Sequence, residues 1–326
     1  MLTIRVQEVA KITSNIKSWL YADQLLKPEE FVMYRPPSYG GLGILNVKYK
    51  AMAGLIKTFL ETAGNDKFRS SLYHTILYKF HVLGDSSLPN PGIPPFYSKN
   101  FFEKIRQVHQ ESPLNIFHMS EKEWYRLLLE DSCTMETGEN GQMLYIKCRV
   151  ERAIVGTDWE QCWRMARLPG LGPENVSFLF RLIHQTLPTQ ERVARTKPTA
   201  NSKCKTQGCQ GVDEENLSHA MVFCPANDRV GLKLLECLRV IQPGLQVEAV
   251  LRLELQLQVD EDLELPAVWL IATVLRTLWN LRQSSTKVKL YLVRAQLEAE
   301  INLLRETRYN DAATKVQKLA ANLLQI

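Results

Sequence analysis

The chain has 326 residues, 45% of them hydrophobic, and a formal charge of +5. That composition belongs to a folded protein of two or more subdomains and excludes a disordered one. So mild a positive balance permits nucleic-acid contact without demanding it. No apolar run reaches the 18 residues of a membrane span, and MLTIRVQEVAKITSNIK at the N-terminus holds no signal core. The expectation is a protein with no membrane association in a reducing intracellular compartment, nucleus or cytoplasm.

Apolar positions over 3–20 follow a helical stripe, and Pro28-Glu29-Glu30 reads as a helix start. Two prolines and three glycines in Tyr34-Arg35-Pro36-Pro37-Ser38-Tyr39-Gly40-Gly41-Leu42-Gly43 force a turn-rich loop. The glycines either allow a tight turn or cradle a phosphate through backbone amides. Arg35 beside them is either a phosphate contact or a surface charge. A helix over 46–62 is expected to bury Val47, Ala51, Leu55, Phe59 and Leu60, and a second covers 66–83. The proline-rich stretch 88–95 breaks helices and reads as a subdomain boundary.

Residues 98–111 and 120–130 read as helices, the latter opened by a Ser120/Glu123 capping box. A turn at 134–142 precedes Met143–Val150, the best strand candidate and half of a hairpin at most. Asp158 caps a helix through Trp159 and Trp163, which are spaced as a core pair, with base stacking as the sharper alternative. The next helix, 174–186, turns Val176, Leu179, Phe180 and Ile183 inward, and His184 at its end reads as a packed residue rather than a ligand. Leu187-Pro188-Thr189 stops that helix, and Thr189 caps a short new one. Farther on, the acidic run 260–264 reads as a solvated loop, 266–282 as the most apolar helix, and 287–307 as an amphipathic helix with Leu290, Leu297 and Leu304 at heptad spacing. The last two suggest an antiparallel helix pair. The fold class is therefore mainly α.

Between the short helix and the acidic run lies NSKCKTQGCQGVDEENLSHAMVFCP. Its Cys204, Cys209, His219 and Cys224 are spaced C-x4-C-x9-H-x4-C. Three thiolates and an imidazole make a closed tetrahedral set for one structural zinc ion, with no position left for water. The x4 first gap is wider than the common x2, so reduced free thiols are the alternative. An odd count of seven cysteines argues against a disulfide framework. Basic residues gather toward this segment: Arg181, Arg192, Arg195, Lys197, Lys203 and Lys205, against Glu191. Phe223 has two readings, a plug for the small metal module or an exposed platform for a base, of which the plug is preferred.

Several of these segments, taken in order, resemble the region downstream of the polymerase palm in non-LTR (LINE-type) retrotransposon reverse transcriptases. Arg35-Pro36 with Gly40-Gly41-Leu42-Gly43 is similar to that family's RPxxxGGLG segment. His184-Gln185-Thr186-Leu187-Pro188-Thr189 is similar to its HxxLPT linker motif. Cys204, Cys209, His219 and Cys224 match its CCHC knuckle in order, and Trp269 to Trp279 with the helix from Leu290 to Arg308 resemble its tail.

The resemblance implies a fragment divided as thumb-like helices (1–88), helical linker (96–200), zinc knuckle (201–228) and C-terminal helices (229–326). It also implies a grip on template RNA or target DNA. The family's paired catalytic aspartates are missing: Tyr21-Ala22-Asp23-Gln24 is the nearest match and has Gln24 in place of the second acid. Without a carboxylate pair to clamp two metal ions, no polymerase activity is expected. The reading is a non-catalytic protein that grips RNA or single-stranded DNA through the knuckle and the basic stretch 181–205. The alternative is a relic or interaction protein in which zinc only staples the fold and the C-terminal helices bind a protein partner or a second copy.

Overall fold

A computed structural model describes residues 6–21, 29–64, 105–108, 110, 116, 118–132, 136–137, 143–144, 147–197, 199–209, 214–255, 261–283, 288–307 and 309–324. The helices in chain order are Val6–Tyr21 (α1), Glu30–Tyr34 (α2), Val47–Gly64 (α3), Glu121–Ser132 (α4), Arg149–Ala153 (α5), Trp159–Met165 (α6), Pro173–Ile183 (α7), Gln190–Thr196 (α8), Val230–Arg239 (α9), Val247–Arg252 (α10), Glu264–Gln283 (α11), Leu290–Arg305 (α12), Asn310–Leu319 (α13) and Ala321–Leu324 (α14). The chain is mainly helical, as its patterning predicts. A two-residue antiparallel ladder pairs Glu136 with Leu144 and Thr137 with Met143. The expected strand does not run on to Val150: Arg149 already starts α5, and the Glu151 carboxylate accepts the Cys148 N–H at 2.6 Å to hold that start. The expected helix 66–83, the proline-rich stretch and the residues after Tyr21 in YADQ lie outside the described residues.

Packing divides the chain into two units, Met1–Ala22 with Gly43–Ile146, and Asp23–Leu42 with Lys147–Ile326. In the first, α3 lies against α4 through Ala53, Ile56, Phe59, Leu60, Trp124 and Leu128. The buried stripe of α3 is turned from the expected one: Ala51 and Leu55 are only partly buried, while Ala53 and Ile56 are fully so. The aromatic bulk of Trp124 on α4, 0% exposed, sets which face is covered. Ser120 and Glu123 form the predicted capping box, with the Ser120 N–H donating to the Glu123 carboxylate at 2.6 Å and the Glu123 N–H to Ser120 Oγ at 3.2 Å.

The second unit is built around α11, which is buried on nearly every side from Pro266 to Trp279. A helix apolar all round belongs in the centre of a bundle. It packs on α7, α12 and α13. The inner stripe of α12 is Val293, Leu297, Ile301 and Leu304, close to the predicted seam, although Leu290 is only partly buried. The expected helix pair is thus three helices, because α13 adds Ala313 and Val316 to the same core. In the described part of the acidic run, Asp262 is solvent-exposed and meets Lys315 at 3.2 Å, while Glu264, already in α11, makes a two-pronged pair with Arg164 at 2.7 and 2.8 Å.

Candidate metal centre

Cys204 enters from an extended stretch in which Lys203 bridges Glu214 in antiparallel fashion. The Glu215 N–H donates to the Ser202 carbonyl at 2.9 Å. Cys209 follows a turn closed by its N–H on the Thr206 carbonyl at 3.0 Å. His219 opens a π-turn, His219–Phe223, whose closing bond runs from the Cys224 N–H to the His219 carbonyl at 2.8 Å and so brings these two ligands together. Three of the four residues between them, Ala220, Met221 and Val222, are buried in the main helical core. Half of the ligand set is therefore fixed by the bundle itself.

The ligand atoms of Cys204, Cys209, His219 and Cys224 all lie within 4.8 Å of one another, so the cluster could hold a metal ion. Cys204 Sγ is 3.8 Å from Cys224 Sγ, and Cys209 Sγ is 3.7 Å from His219 Nε2. A disulfide needs about 2 Å. Zinc–sulfur bonds of about 2.3 Å at tetrahedral angles set the sulfurs about 3.8 Å apart. The separations thus suit a shared ion and exclude a sulfur–sulfur bond. Burial pushes the Cys224 thiol up to about 11, so a cation must displace its proton on binding.

One residue of this site escaped the sequence reading. Arg282, on α11, is 9% exposed, with a guanidinium nitrogen 2.9 Å from the buried Glu215 carboxylate and 3.5 Å from Cys204 Sγ. It also reaches Asn227 Oδ1 at 3.4 Å. Asn227 is held in turn by donating to the Ala220 carbonyl at 2.7 Å. The signal in the sequence is a charge in a core register: Arg282 continues the stripe Leu275, Leu278, Trp279 that is otherwise apolar and buried.

The six basic residues divide. Arg181 is half-buried, and burial lowers its pKa. Arg192, also half-buried, donates to the backbone and side-chain oxygens of Gln185, whose φ of 51° is left-handed. Arg195 is exposed but pairs with Glu191 one turn back. Lys197, Lys203 and Lys205 are exposed, with no ion pair among the described residues. Lys203 and Lys205 alternate with the buried Cys204 and Thr206, so one extended stretch points its thiolate in and its ammonium groups out. Phe223 does not plug the module. It is 53% exposed, and the small core beside the ligands is Cys204, Cys224 and Ala226. Nor does the Thr189 side chain cap α8, since the Glu191 N–H donates instead to the Glu215 carbonyl at 3.3 Å.

The Arg35 loop and His184 meet. Arg35 is buried and donates twice to Glu151, which also accepts from Trp163 Nε1 at 2.9 Å. Gly40, at φ +77°, lies so close to the Trp163 ring that a Cβ would stand 2.4 Å from it, and a Cβ on Gly41 would stand 1.8 Å from the Arg35 carbonyl. His184 Nε2 is 2.8 Å from the Gly40 carbonyl. A carbonyl only accepts, so Nε2 carries the proton and Nδ1 faces Cys148 Sγ at 3.9 Å. Burial depresses the His184 pKa to about 4 and raises the Cys148 thiol to about 12. Trp163 stacks on both His184 and Trp159. Arg35, the glycines, His184 and the tryptophans are therefore one packed cluster, with Arg35 a core residue rather than a surface charge. No protein-family model, curated protein or solved structure matches the chain.

Proposed function

We propose that Cys204, Cys209, His219 and Cys224 hold one structural zinc ion and that the module they form grips RNA or single-stranded DNA. The observation that carries this reading is the alternation around Cys204, which displays Lys203 and Lys205 on the outside of the metal segment. Phe223, next to ligand Cys224, adds an exposed aromatic face of the kind on which unpaired bases stack. The ordered resemblance to the post-palm region of LINE-type reverse transcriptases supports the same reading. The role is binding rather than catalysis, because four protein ligands fill a tetrahedral ion. Reduced thiols of this kind suit a reducing, intracellular setting.

The alternative, partner binding by the C-terminal helices, has less to stand on. The large exposed apolar residues of α12, Tyr291 and Leu303, lie about 120° apart around the helix and form no single face. The deciding experiment is gel-shift titration of zinc-loaded protein with single-stranded RNA and DNA at several salt concentrations. Binding that weakens as salt rises, and weakens again in Lys203→Ala/Lys205→Ala and in Phe223→Ala, is expected. No shift at low salt, or a double lysine variant that binds as the wild type does, refutes it.

A further inference from the structure

We infer that Arg282 is the positioning cation of the metal centre, a residue that lies 78 positions beyond the first ligand and ties metal loading to the central helix α11. The inference rests on the zinc reading above. Three thiolates and a neutral imidazole around a divalent ion leave one net negative charge. Cys204, Cys224 and His219 are 5%, 2% and 6% exposed and Cys209 is partly buried, so most of that charge is shielded from water. A buried charge is tolerated only when paired. Among the described residues, Arg282 is the cation placed beside it, 3.5 Å from Cys204 Sγ, and it divides its charge between that sulfur and the Glu215 carboxylate at 2.9 Å.

Its own setting is built for that task. Glu215 and Asn227 hold the guanidinium from the sides at 2.9 and 3.4 Å. Glu215 lies between two ligands and Asn227 just past Cys224, so the same fork that faces the Cys204 sulfur is gripped by the stretch that carries the ligands. Arginine suits this position because its planar donors reach several acceptors at once, whereas an ammonium is a point charge. A cation beside Cys204 Sγ stabilises the anionic, metal-loaded cluster as a whole by offsetting part of its buried charge. Partners of this kind around metal ligands commonly change affinity by about 10–100-fold.

The test is zinc affinity of the full chain by competition with a chromophoric chelator, alongside the absorption spectrum of the cobalt(II)-substituted protein. Wild type is expected to take up one ion. Arg282→Met is expected to bind it about 10–100-fold more weakly and to shift the thiolate-to-cobalt charge-transfer band. Arg282→Lys, which keeps the charge beside Glu215, is expected to fall between them. Should the methionine variant fail to fold, the lysine variant decides. Wild-type affinity and an unmoved band in the folded variants overturn the role of Arg282. A wild-type chain that takes up neither zinc nor cobalt overturns the metal reading on which it rests, a failure distinguishable from the first.

Discussion

Arg35 and Glu151 form a two-pronged ion pair at 2.8 and 2.9 Å, with side chains only 6% and 3% exposed, although 116 residues separate them. Glu151 is further held by the Trp163 indole and the Cys148 amide, so its pKa stays below the ordinary carboxylate value against the opposing pull of burial. Removing one member of such a pair strands the other. Arg35→Met is expected to destabilise the second unit by about 3–5 kcal/mol in urea unfolding. Arg35→Met/Glu151→Gln should recover much of the loss, since no bare charge remains. Equal stabilities of wild type and Arg35→Met would mean that the pair contributes nothing.

Gly40→Ala and Gly41→Ala should both be costly, for different reasons. Gly41 faces backbone, which cannot yield as a side chain can. Overpacking of this kind costs about 1–3 kcal/mol. Gly40 meets the Trp163 ring and also holds a left-handed φ, which adds about 1–2 kcal/mol for a residue with a Cβ. Thermal melts of the two variants check this, with a Tm within a degree of wild type as the contrary result.

The His184 environment makes a signed prediction about pH. Its folded-state pKa lies near 4, below the ordinary 6.5 of the unfolded chain, because burial disfavours the imidazolium. Between those values the unfolded state binds more protons, so stability rises with pH across this window and is lost as pH falls through it. The full difference corresponds to about 3 kcal/mol. Glu151, with its lowered pKa, acts in the same direction at more acid pH. His184→Gln should flatten the profile between pH 6.5 and 4 in unfolding curves. An unchanged slope would show that His184 carries none of it.

If the proposed ion is bound, its removal should weaken more than the loop that carries it. Ala220, Met221 and Val222 lie between ligands His219 and Cys224 and also belong to the main core. Freeing the ligands therefore loosens the bundle from inside. A site saturated about 1,000-fold above its dissociation constant contributes about 4 kcal/mol to the folded state. Chelator, or Cys209→Ser, should accordingly lower the unfolding midpoint of the tryptophans in the second unit. A midpoint that stays in place would confine the metal's effect to its own loop.

Arg192 should now behave as a structural residue. Its bonds to Gln185 hold the left-handed turn after α7. Arg192→Ala is expected to lower stability by about 1–3 kcal/mol. Lys203→Ala/Lys205→Ala should leave stability alone and make the salt slope of single-strand binding shallower by about 0.7 for each phosphate left unneutralised. Measuring Tm and salt slope on both variants separates the two roles.

Helical periodicity carried most of this fold. The capping box at Ser120, the Asp158 cap on Gln161 at 3.0 Å, the apolar α11 and the ligand spacing were all readable because each is local. What stayed hidden depends on distant partners. The face that α3 buries is chosen by Trp124, and the Thr189 hydroxyl loses its amide to a carbonyl from the metal segment. Arg35 could pass for a surface charge because Glu151 is 116 residues away. Phe223 beside a ligand suggested a plug, but backbone turns rather than an aromatic close the module.

The loop of Arg35, Gly40 and Gly41 packs with the unit that resumes at Lys147, while Gly43–Ile146 packs with Met1–Ala22, so the chain passes between the two units three times. The Arg35–Gly41 loop and the His184–Thr189 segment are then parts of one packed unit. A change at Arg35 is therefore felt at Glu151, and a larger residue at Gly40 is felt at Trp163, however far apart they lie in the chain. Where the intervening stretch is described, α3 and α4 answer instead to a core of their own around Trp124.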